Sequence, residues 1–234
     1  METRAGSASR TGGRGKPARV LIVDDHPLLR EGLTQLLGRH DDFAVCGQAA
    51  GISEAWTVLE QQSPDLMVLD LRLGGGDVLE FIKAVRARHD RLRILVLTQH
   101  DEPVYVERVL HAGAHGYVTK EDAPMEVLNA MRQVLQGGLY VSRSLAERML
   151  GQQLVSRPVP PEARLKDLTD REFTIYQLLG QGLSSREIAG RLGLSVKTVE
   201  THRENIKRKR GLATTAELVQ EATEWWRSRQ LPLA

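Results

Sequence analysis

Five polar residues capable of chemistry stand at the ends of short apolar segments in the first half of the sequence. Asp24 and Asp25 follow the run RVLIV, and Asp70 ends DLMVLD. Thr98 ends RILVLT, and Lys120 follows HGYVT directly. Three neighbouring carboxylates repel one another unless a cation lies between them, and an all-oxygen donor set favours Mg²⁺. With an ammonium and a hydroxyl nearby, such a group is suited to holding phosphoryl oxygens.

The segments that must position these residues alternate between two kinds. Apolar strand-like runs occupy 19–23, 43–49, 65–70, 93–98 and 115–119, and amphipathic helix-like stretches occupy 27–39, 52–62, 77–89, 102–111 and 122–135. This alternation predicts an α/β fold with a five-stranded, doubly wound parallel sheet. Because ligands bind outside the carboxyl ends of parallel strands, the five polar residues are expected to converge at one edge of the sheet.

The second half has a different composition. A proline-containing stretch without periodicity, 152–166, predicts a linker. Four helical segments follow, at 169–182, 184–193, 195–211 and 214–226, and predict an all-α domain. The first three begin at N-cap residues and end at glycines. We therefore divide the chain into a disordered basic tail (1–18), an α/β domain (19–142), a short helix with the linker (143–166) and a helical domain (167–234).

Charge is distributed unevenly over the 234 residues, although the net charge is only +2. Residues 19–142 contain 12 Lys/Arg and 18 Asp/Glu, whereas residues 164–234 contain 13 and 9. The basic second half suggests a polyanionic partner. No apolar run approaches the ~20 residues of a membrane span, and the N-terminus has no apolar secretory core. With a single cysteine, Cys46, these features predict a cytoplasmic protein with no membrane partner.

The first half resembles the receiver domain of two-component response regulators. The resemblance rests on VDDH (23–26), VLDLRL (68–73), VLT (96–98) and GYVTKE (116–121). It implies a flavodoxin-like fold in which Asp70 is the phosphoacceptor. Mg²⁺ would be held by Asp24, Asp25, Asp70 and the backbone carbonyl of Arg72. Lys120 would contact phosphoryl oxygens, and Thr98 and Tyr117 would form the switch pair.

The helical half resembles the LuxR-type helix-turn-helix domain, through LTDRE and IYQLLGQGLSSREIAGRLGLSVKTVETHRENIKRK. A receiver followed by this domain is the layout of the NarL/FixJ family. The resemblance implies a DNA-binding transcriptional regulator, not an enzyme, that dimerises and binds promoter DNA when Asp70 is phosphorylated. Its implied partners are a sensor histidine kinase or an acyl phosphate as phosphodonor, double-stranded promoter DNA and a second copy of the chain. RNA polymerase is a further candidate partner.

The helix of residues 195–211 is the candidate recognition helix. Its period places Val199, Ile206 and the flank of Val196 against the core. The side chains expected to reach bases or phosphates lie elsewhere on its surface: Lys197, Thr198, Glu200, Thr201, Arg203, Glu204, Lys207 and Arg208. Thr201 can contact a thymine methyl, and Glu200 or Glu204 can accept from cytosine. Glu204 and Arg208 also have the spacing of a simple surface ion pair.

Several readings stay open. Asp25 could merely cap a helix, and Tyr117 could merely be packed. Where the receiver pattern has proline, glycine and a small residue, this chain has Gly74, Val78 and Gln99, so a phosphorylation-independent regulator with a vestigial receiver is an alternative. A phosphatase with an aspartyl-phosphate intermediate is disfavoured because Arg72 occupies the position of its general acid. Arg210 falls on the core stripe, where either fraying or a surface-lying side chain is expected. At least one residue of the pair Trp225–Trp226 is expected in the core.

Overall fold

A computed structural model describes residues 16–73, 77–99, 103–154, 165 and 167–228. Its first part is a parallel sheet of six strands in the order β2-β1-β3-β4-β5-β6. The strands are β1 (Ala18–Val23), β2 (Phe43–Ala49), β3 (Leu66–Leu69), β4 (Arg93–Thr98), β5 (Gly116–Thr119) and β6 (Tyr140–Val141).

Helices cover both faces of this sheet, because its central strands are apolar on both sides. They are α1 (Pro27–Leu37), α2 (Ile52–Gln62), α3 (Val78–Arg88), α4 (Pro103–His111) and α5 (Pro124–Leu135). Alternate residues of β1 enter opposite cores: Leu21 packs in the cluster that contains α2, α3 and α4, and Ile22 in the cluster that contains α1 and α5. The doubly wound parallel arrangement is therefore confirmed.

The prediction of five strands was wrong. The sixth strand is the two-residue β6, where Tyr140 pairs with Gly116 and Val141 pairs with Tyr117. Gly137, at φ 90°, turns the chain after α5 and brings this segment alongside β5. Two residues are too few to show the alternation by which a strand is recognised in a sequence.

The segments outside the two domains are described only in part. Of the predicted tail, residues 1–15 lie outside the described residues, and Ala18 already belongs to β1. The expected short helix is α6 (Arg143–Leu154). It extends through 152–154, the first residues of the predicted linker. Residues 155–164 and 166 lie outside the described part of the chain.

The helical domain consists of α7 (Asp170–Gly180), α8 (Ser185–Leu192), α9 (Val196–Arg210) and α10 (Thr215–Arg227). Capping boxes begin three of them, at Thr169, Ser184 and Thr214. Gly193 and Gly211 end α8 and α9 in the left-handed conformation that glycine adopts without strain. In the described part of the chain, no helix combines the length and hydropathy that crossing a membrane requires.

Candidate functional site

Three residues that the sequence placed at strand ends meet at one edge of the sheet. Asp70 follows β3 and is held by a hydrogen bond from its backbone N–H to the carbonyl of Val23, at 2.9 Å. The Lys120 ammonium lies 2.9 Å from Asp70 Oδ2 and 2.7 Å from Asp24 Oδ2. Both carboxylates are nearly inaccessible, at 2% and 3% exposure. Together with Asp25, these residues are called the acceptor site below.

Asp70 is the most unusual carboxylate of the acceptor site. Burial raises its pKa above the ordinary value, an effect that the charge of Asp24 adds to and that the ammonium of Lys120 opposes. The backbone N–H of Arg72 opposes the rise in this pKa to a smaller extent. Its Oδ1 is buried without a hydrogen-bond partner among the described residues. A buried carboxylate oxygen left unpaired is costly, so this atom is a candidate ligand or nucleophile.

The donor set fits a divalent cation. Asp24, Asp25, His26 and Asp70 each offer a ligand atom, and these atoms lie within 4.8 Å of one another. The oxygen-rich set and the unpaired Oδ1 of Asp70 suit Mg²⁺. His26 was not among the predicted site residues; its Nδ1 lies 2.8 Å from Asp25 and 3.0 Å from Asp24. His26, not Asp25, is the N-cap residue of α1.

Thr98 is the last residue of β4, and Tyr117 is the second residue of the neighbouring strand β5. Both are fully buried. In the β4–β5 pair, Val96 lies opposite Tyr117, and the backbone N–H of Lys120 donates to the carbonyl of Thr98 at 2.7 Å. A change at Thr98 can therefore reach both the acceptor lysine and the strand that carries Tyr117. Three residues depart from the receiver pattern. Gly74 lies outside the described residues, Val78 is the buried first residue of α3, and Gln99 is exposed.

Helix α9 presents an accessible polar face. Val199 and Ile206 are fully buried, as its period predicts. The expectation that Val196 packs beside them was wrong, since it is 44% exposed at the first turn, where few neighbours reach it. The exposed side chains include five of the predicted DNA contacts: Lys197, Glu200, Thr201, Glu204 and Arg208.

Several predicted DNA contacts are engaged with other side chains within the domain. Glu200 accepts hydrogen bonds from Arg203, at 3.1 Å, and from Ser185 of α8, and Arg203 also contacts Ser185. This triad ties α8 to α9. Glu204 pairs with Lys207 at 2.8 Å, and not with Arg208, the alternative partner that the spacing allowed.

The last turn of α9 also differs from expectation. The helix neither frays before Arg210 nor leaves its side chain on the surface: α9 runs through Arg210, which is 6% exposed. Its Nε donates to Glu221 of α10 at 2.8 Å, and Glu221 also accepts from the hydroxyl of Tyr176. An ion pair thus takes the place of an apolar contact at this core position of α9. The sequence around Arg210 could not predict it, because its partner Glu221 belongs to the next helix.

The structure packs the two domains together through residues that the sequence did not identify. Arg108 of α4 is central: its guanidinium lies 2.7 Å from Asp170 and donates to the carbonyls of Leu165 and Leu168. Lys83 reaches the second oxygen of Asp170 at 2.6 Å. Burial alone would raise the pKa of Asp170, but the hydrogen bonds from Lys83 and Arg108 outweigh it and hold that pKa below its usual value.

Aromatic residues form the rest of this domain interface. Tyr105 of α4 lies in edge contact with Phe173 of α7, at 5.3 Å between ring centroids, and its hydroxyl accepts from Gln177. Both Trp225 and Trp226 are buried, which confirms the prediction of core packing for at least one. The guanidinium of Arg72, two residues beyond the acceptor, stacks 5.2 Å from the ring centroid of Trp226. The acceptor site and α10 are therefore joined through one side chain.

Comparison with known proteins decides the family. Residues 20–132 match the response regulator receiver domain, and residues 166–222 match the luxR family of bacterial regulatory proteins. The chain belongs to the NarL/FixJ family of response regulators. It is thus a two-component response regulator with a LuxR-type DNA-binding domain, in a family of transcription regulators rather than enzymes.

Its relatives resemble it over most of their length. The transcriptional activator protein ExaE of Pseudomonas putida is 36% identical over 209 residues, which cover 88% of this chain and 95% of the relative. NarL, the nitrate/nitrite response regulator of Escherichia coli, is 33% identical over 86% of this chain and 93% of its own. A structure of RcsB from Salmonella typhimurium covers 90% of this response regulator and 98% of itself, with a TM-score of 0.71 and 23% identity.

Proposed function

We propose that Asp70 is the phosphoacceptor of this response regulator. The observation that carries the proposal is the unpaired, buried Oδ1 of Asp70, which lies beside the ammonium of Lys120 in a chain that also has a LuxR-type domain. In the reaction, a carboxylate oxygen forms a bond to phosphorus as the bond from phosphorus to the donor breaks. The electron pair of that bond leaves with the donor, which is a phosphohistidine nitrogen or an acyl oxygen.

The neighbouring residues have separate roles in this proposal. Mg²⁺ would be held by Asp24, Asp25, Asp70 and the backbone carbonyl of Arg72, and Lys120 would bind a phosphoryl oxygen. When bound, Mg²⁺ supplies charge neutralisation on the transferring phosphoryl group. Lys120 already bridges Asp24 and Asp70, so its ammonium is placed to remain in contact with the modified carboxylate.

The signal then passes to the other domain through Thr98, Tyr117 and α4. The hydroxyl of Thr98 moves towards the phosphoryl group, and the ring of Tyr117 takes up the space that Thr98 leaves. Helix α4 follows the strand that ends at Thr98 and carries Tyr105 and Arg108, which bind the helical domain. A shift of α4 would weaken these contacts and free the helical domain, because phosphorylation stabilises one of two conformations of the same chain.

The released domain dimerises and binds promoter DNA in this proposal. Contacts from α9 come from Lys197, Thr198, Glu200, Thr201, Arg203, Glu204, Lys207 and Arg208. Because Glu200 and Arg203 are held by Ser185, they would reach DNA as a pre-ordered pair. Support for the DNA partner comes from the match of residues 166–222 to the luxR family of bacterial regulatory proteins. RcsB of Salmonella enterica, which has a similar fold, has been solved bound to promoter rprA. The phosphodonor would be a sensor histidine kinase in the cytoplasm, where the promoter is.

The decisive experiment combines labelling with mass measurement. The wild type and Asp70→Asn are treated with acetyl phosphate and Mg²⁺, and the phosphorylated fraction and the solution mass are measured. We expect labelling and a monomer-to-dimer change only in the wild type. A matched control, Asp42→Asn, removes a surface carboxylate that pairs with Arg132 and should label normally. Labelling of Asp70→Asn would overturn the proposal, and an unlabelled wild type would favour a vestigial receiver.

A further inference from the structure

A cavity of about 240 Å³ lies between the two domains and reaches the acceptor site. Its walls come from both domains. The receiver contributes Asp25, Arg72 and Tyr105, and the helical domain contributes Gln177, Arg191 and Trp226. The helical domain therefore covers the receiver surface beside Asp25, the residue of the acceptor site that lines the cavity. The carboxylate of Asp70 is itself 2% exposed.

The size of this cavity sets what can enter while the domains are docked. Sites for drug-sized ligands enclose about 300–1,000 Å³, so this space suits only very small molecules. Phosphoramidate and acetyl phosphate are of that class. A phosphohistidine on a protein has a different requirement, because a specific protein–protein interface covers about 800 Å² of each partner. Such a partner needs the surface around the acceptor site to be open.

Polar contacts on two edges of the cavity hold the helical domain against the receiver. Asp77 at the start of α3 pairs with Arg171 of α7 at 3.1 Å. Asp170, next to Arg171, is held by Arg108 and Lys83. Arg72 contributes through its stack on Trp226. A protein donor cannot share this part of the surface with the helical domain.

We propose that the docked helical domain makes the acceptor site selective among phosphodonors. Small phosphodonors reach Asp70 in the closed chain, whereas a phosphohistidine protein transfers its phosphoryl group only when the two domains separate. The rate with a protein donor is then reduced by the fraction of chains that are open. The choice of phosphodonor then depends on three residues that do not contact Asp70, namely Trp226, Arg171 and Asp170. This inference rests on the proposed function of Asp70.

The test compares two donors on the full-length chain. The small donor is phosphoramidate, and the protein donor is the phosphorylated histidine-containing domain of a sensor kinase. Asp170→Asn removes the charge that holds Arg108 and Lys83. We expect it to raise the rate with the protein donor about tenfold, the change that about 1.4 kcal/mol of lost docking free energy produces. The rate with phosphoramidate should change less than about twofold.

Two further variants keep the test sharp. Arg171→Gln removes the pair with Asp77 on the other edge of the cavity and should act in the same direction. Asp42→Asn removes an ion pair away from the cavity and should change neither rate. The inference is overturned if both interface variants leave the protein-donor rate unchanged, or if they raise both donor rates equally. Absence of label at Asp70 with either donor would instead overturn the proposed function itself.

Discussion

At the residue scale, the acceptor site is a pair of buried carboxylates balanced by one lysine. Lys120 contacts both Asp24 and Asp70, and all three side chains are at most 10% exposed. Buried like charges are tolerated only with a compensating charge, so the lysine stabilises the folded protein.

This compensation of two carboxylates by one ammonium predicts how the loss of Lys120 changes stability. Lys120→Met should lower the free energy of unfolding by about 3 kcal/mol in chelator, because it leaves two carboxylates buried without their partner. Saturating Mg²⁺ should restore more stability to this variant than to the wild type, since the ion takes over the ammonium's role. Urea denaturation with and without Mg²⁺ measures both effects. Lys197→Met, at an exposed site, is the control; an equal loss there would contradict the prediction.

His115 predicts a pH dependence of stability. Its Nδ1 accepts a hydrogen bond from the backbone N–H of Ile94, which requires an unprotonated nitrogen. Burial, with a smaller effect from Arg86 and Arg93, lowers its pKa to about 4. The unfolded chain therefore binds the proton more readily, and the stability that neutral His115 contributes is present above pH ~6.5 and lost as the pH falls towards 4.

The expected loss between pH 7 and pH 5 is up to about 2 kcal/mol, measured by urea denaturation. His115→Asn keeps an acceptor for Ile94 but does not titrate, so its stability should change less over the same range. His40→Asn, outside this contact, should retain the wild-type dependence. An unchanged pH profile in His115→Asn would assign the dependence to other groups.

Sequence reasoning brought Asp24, Asp70 and Lys120 to one edge of the sheet because the rule of strand ends is local. Each of Asp24, Asp70, Thr98 and Lys120 directly follows or ends an apolar run, and the parallel topology gathers such positions. The rule does not reach contacts between elements. The Ser185–Glu200–Arg203 triad and the Arg210–Glu221 pair depend on helix crossings, and charged residues on a helix look solvent-exposed when read from spacing alone.

At the element scale, the helical domain depends on a close crossing of α7 and α10. Gly180 of α7 lies so near α10 that an added Cβ would meet the carbonyl oxygen of Ala222 at 2.5 Å and Cβ of Trp226 at 2.9 Å. Neither neighbour is the end of a flexible side chain. The glycine is therefore a packing requirement, while its helix would otherwise favour alanine.

Two glycine substitutions should have opposite signs. Gly180→Ala is expected to lower the free energy of unfolding by about 2 kcal/mol, because the helices must move apart. Gly190→Ala, in α8 with nothing within 4 Å of the added Cβ, should raise it by about 0.5–1 kcal/mol. Thermal or urea denaturation distinguishes them. Stabilisation by both changes would show that α7 and α10 are not in close contact.

Long elements were predictable and short ones were not. Helix α2 and strand β2 have the predicted bounds, and α7, α8 and α9 begin after the predicted N-cap residues. Periodicity and capping act within one element, so they are visible in sequence. The two-residue β6 forms only because β5 is there to pair with it, and Val196 is exposed because of where α9 enters the domain.

At the scale of the whole molecule, the closed chain leaves the recognition helix uncovered. The exposed side chains of α9 include Lys197, Thr201 and Arg208, while the receiver covers residues of α7 and α10. Control of DNA binding by masking α9 is thus not the arrangement observed. The covered surface instead restrains the position of the whole helical domain, so phosphorylation would act by releasing that domain to pair with a second copy.

This arrangement predicts a gain of function at the interface. Arg108→Gln removes an ion pair with Asp170 and two hydrogen bonds to backbone carbonyls, and should destabilise docking by about 2 kcal/mol, which is roughly thirtyfold in the docking equilibrium. The unphosphorylated variant should then dimerise and bind promoter DNA more tightly than the unphosphorylated wild type.

Light scattering and DNA titration at several salt concentrations test this prediction. Because a dimer contacts more phosphates than a single domain, the variant should also show a steeper fall of affinity with salt, at about −0.9 in log–log slope per phosphate. Arg132→Gln, which removes a receiver ion pair outside the interface, is the control. If Arg108→Gln bound DNA no better than the wild type, docking would not limit binding. The switch would then have to act through the dimer contact itself.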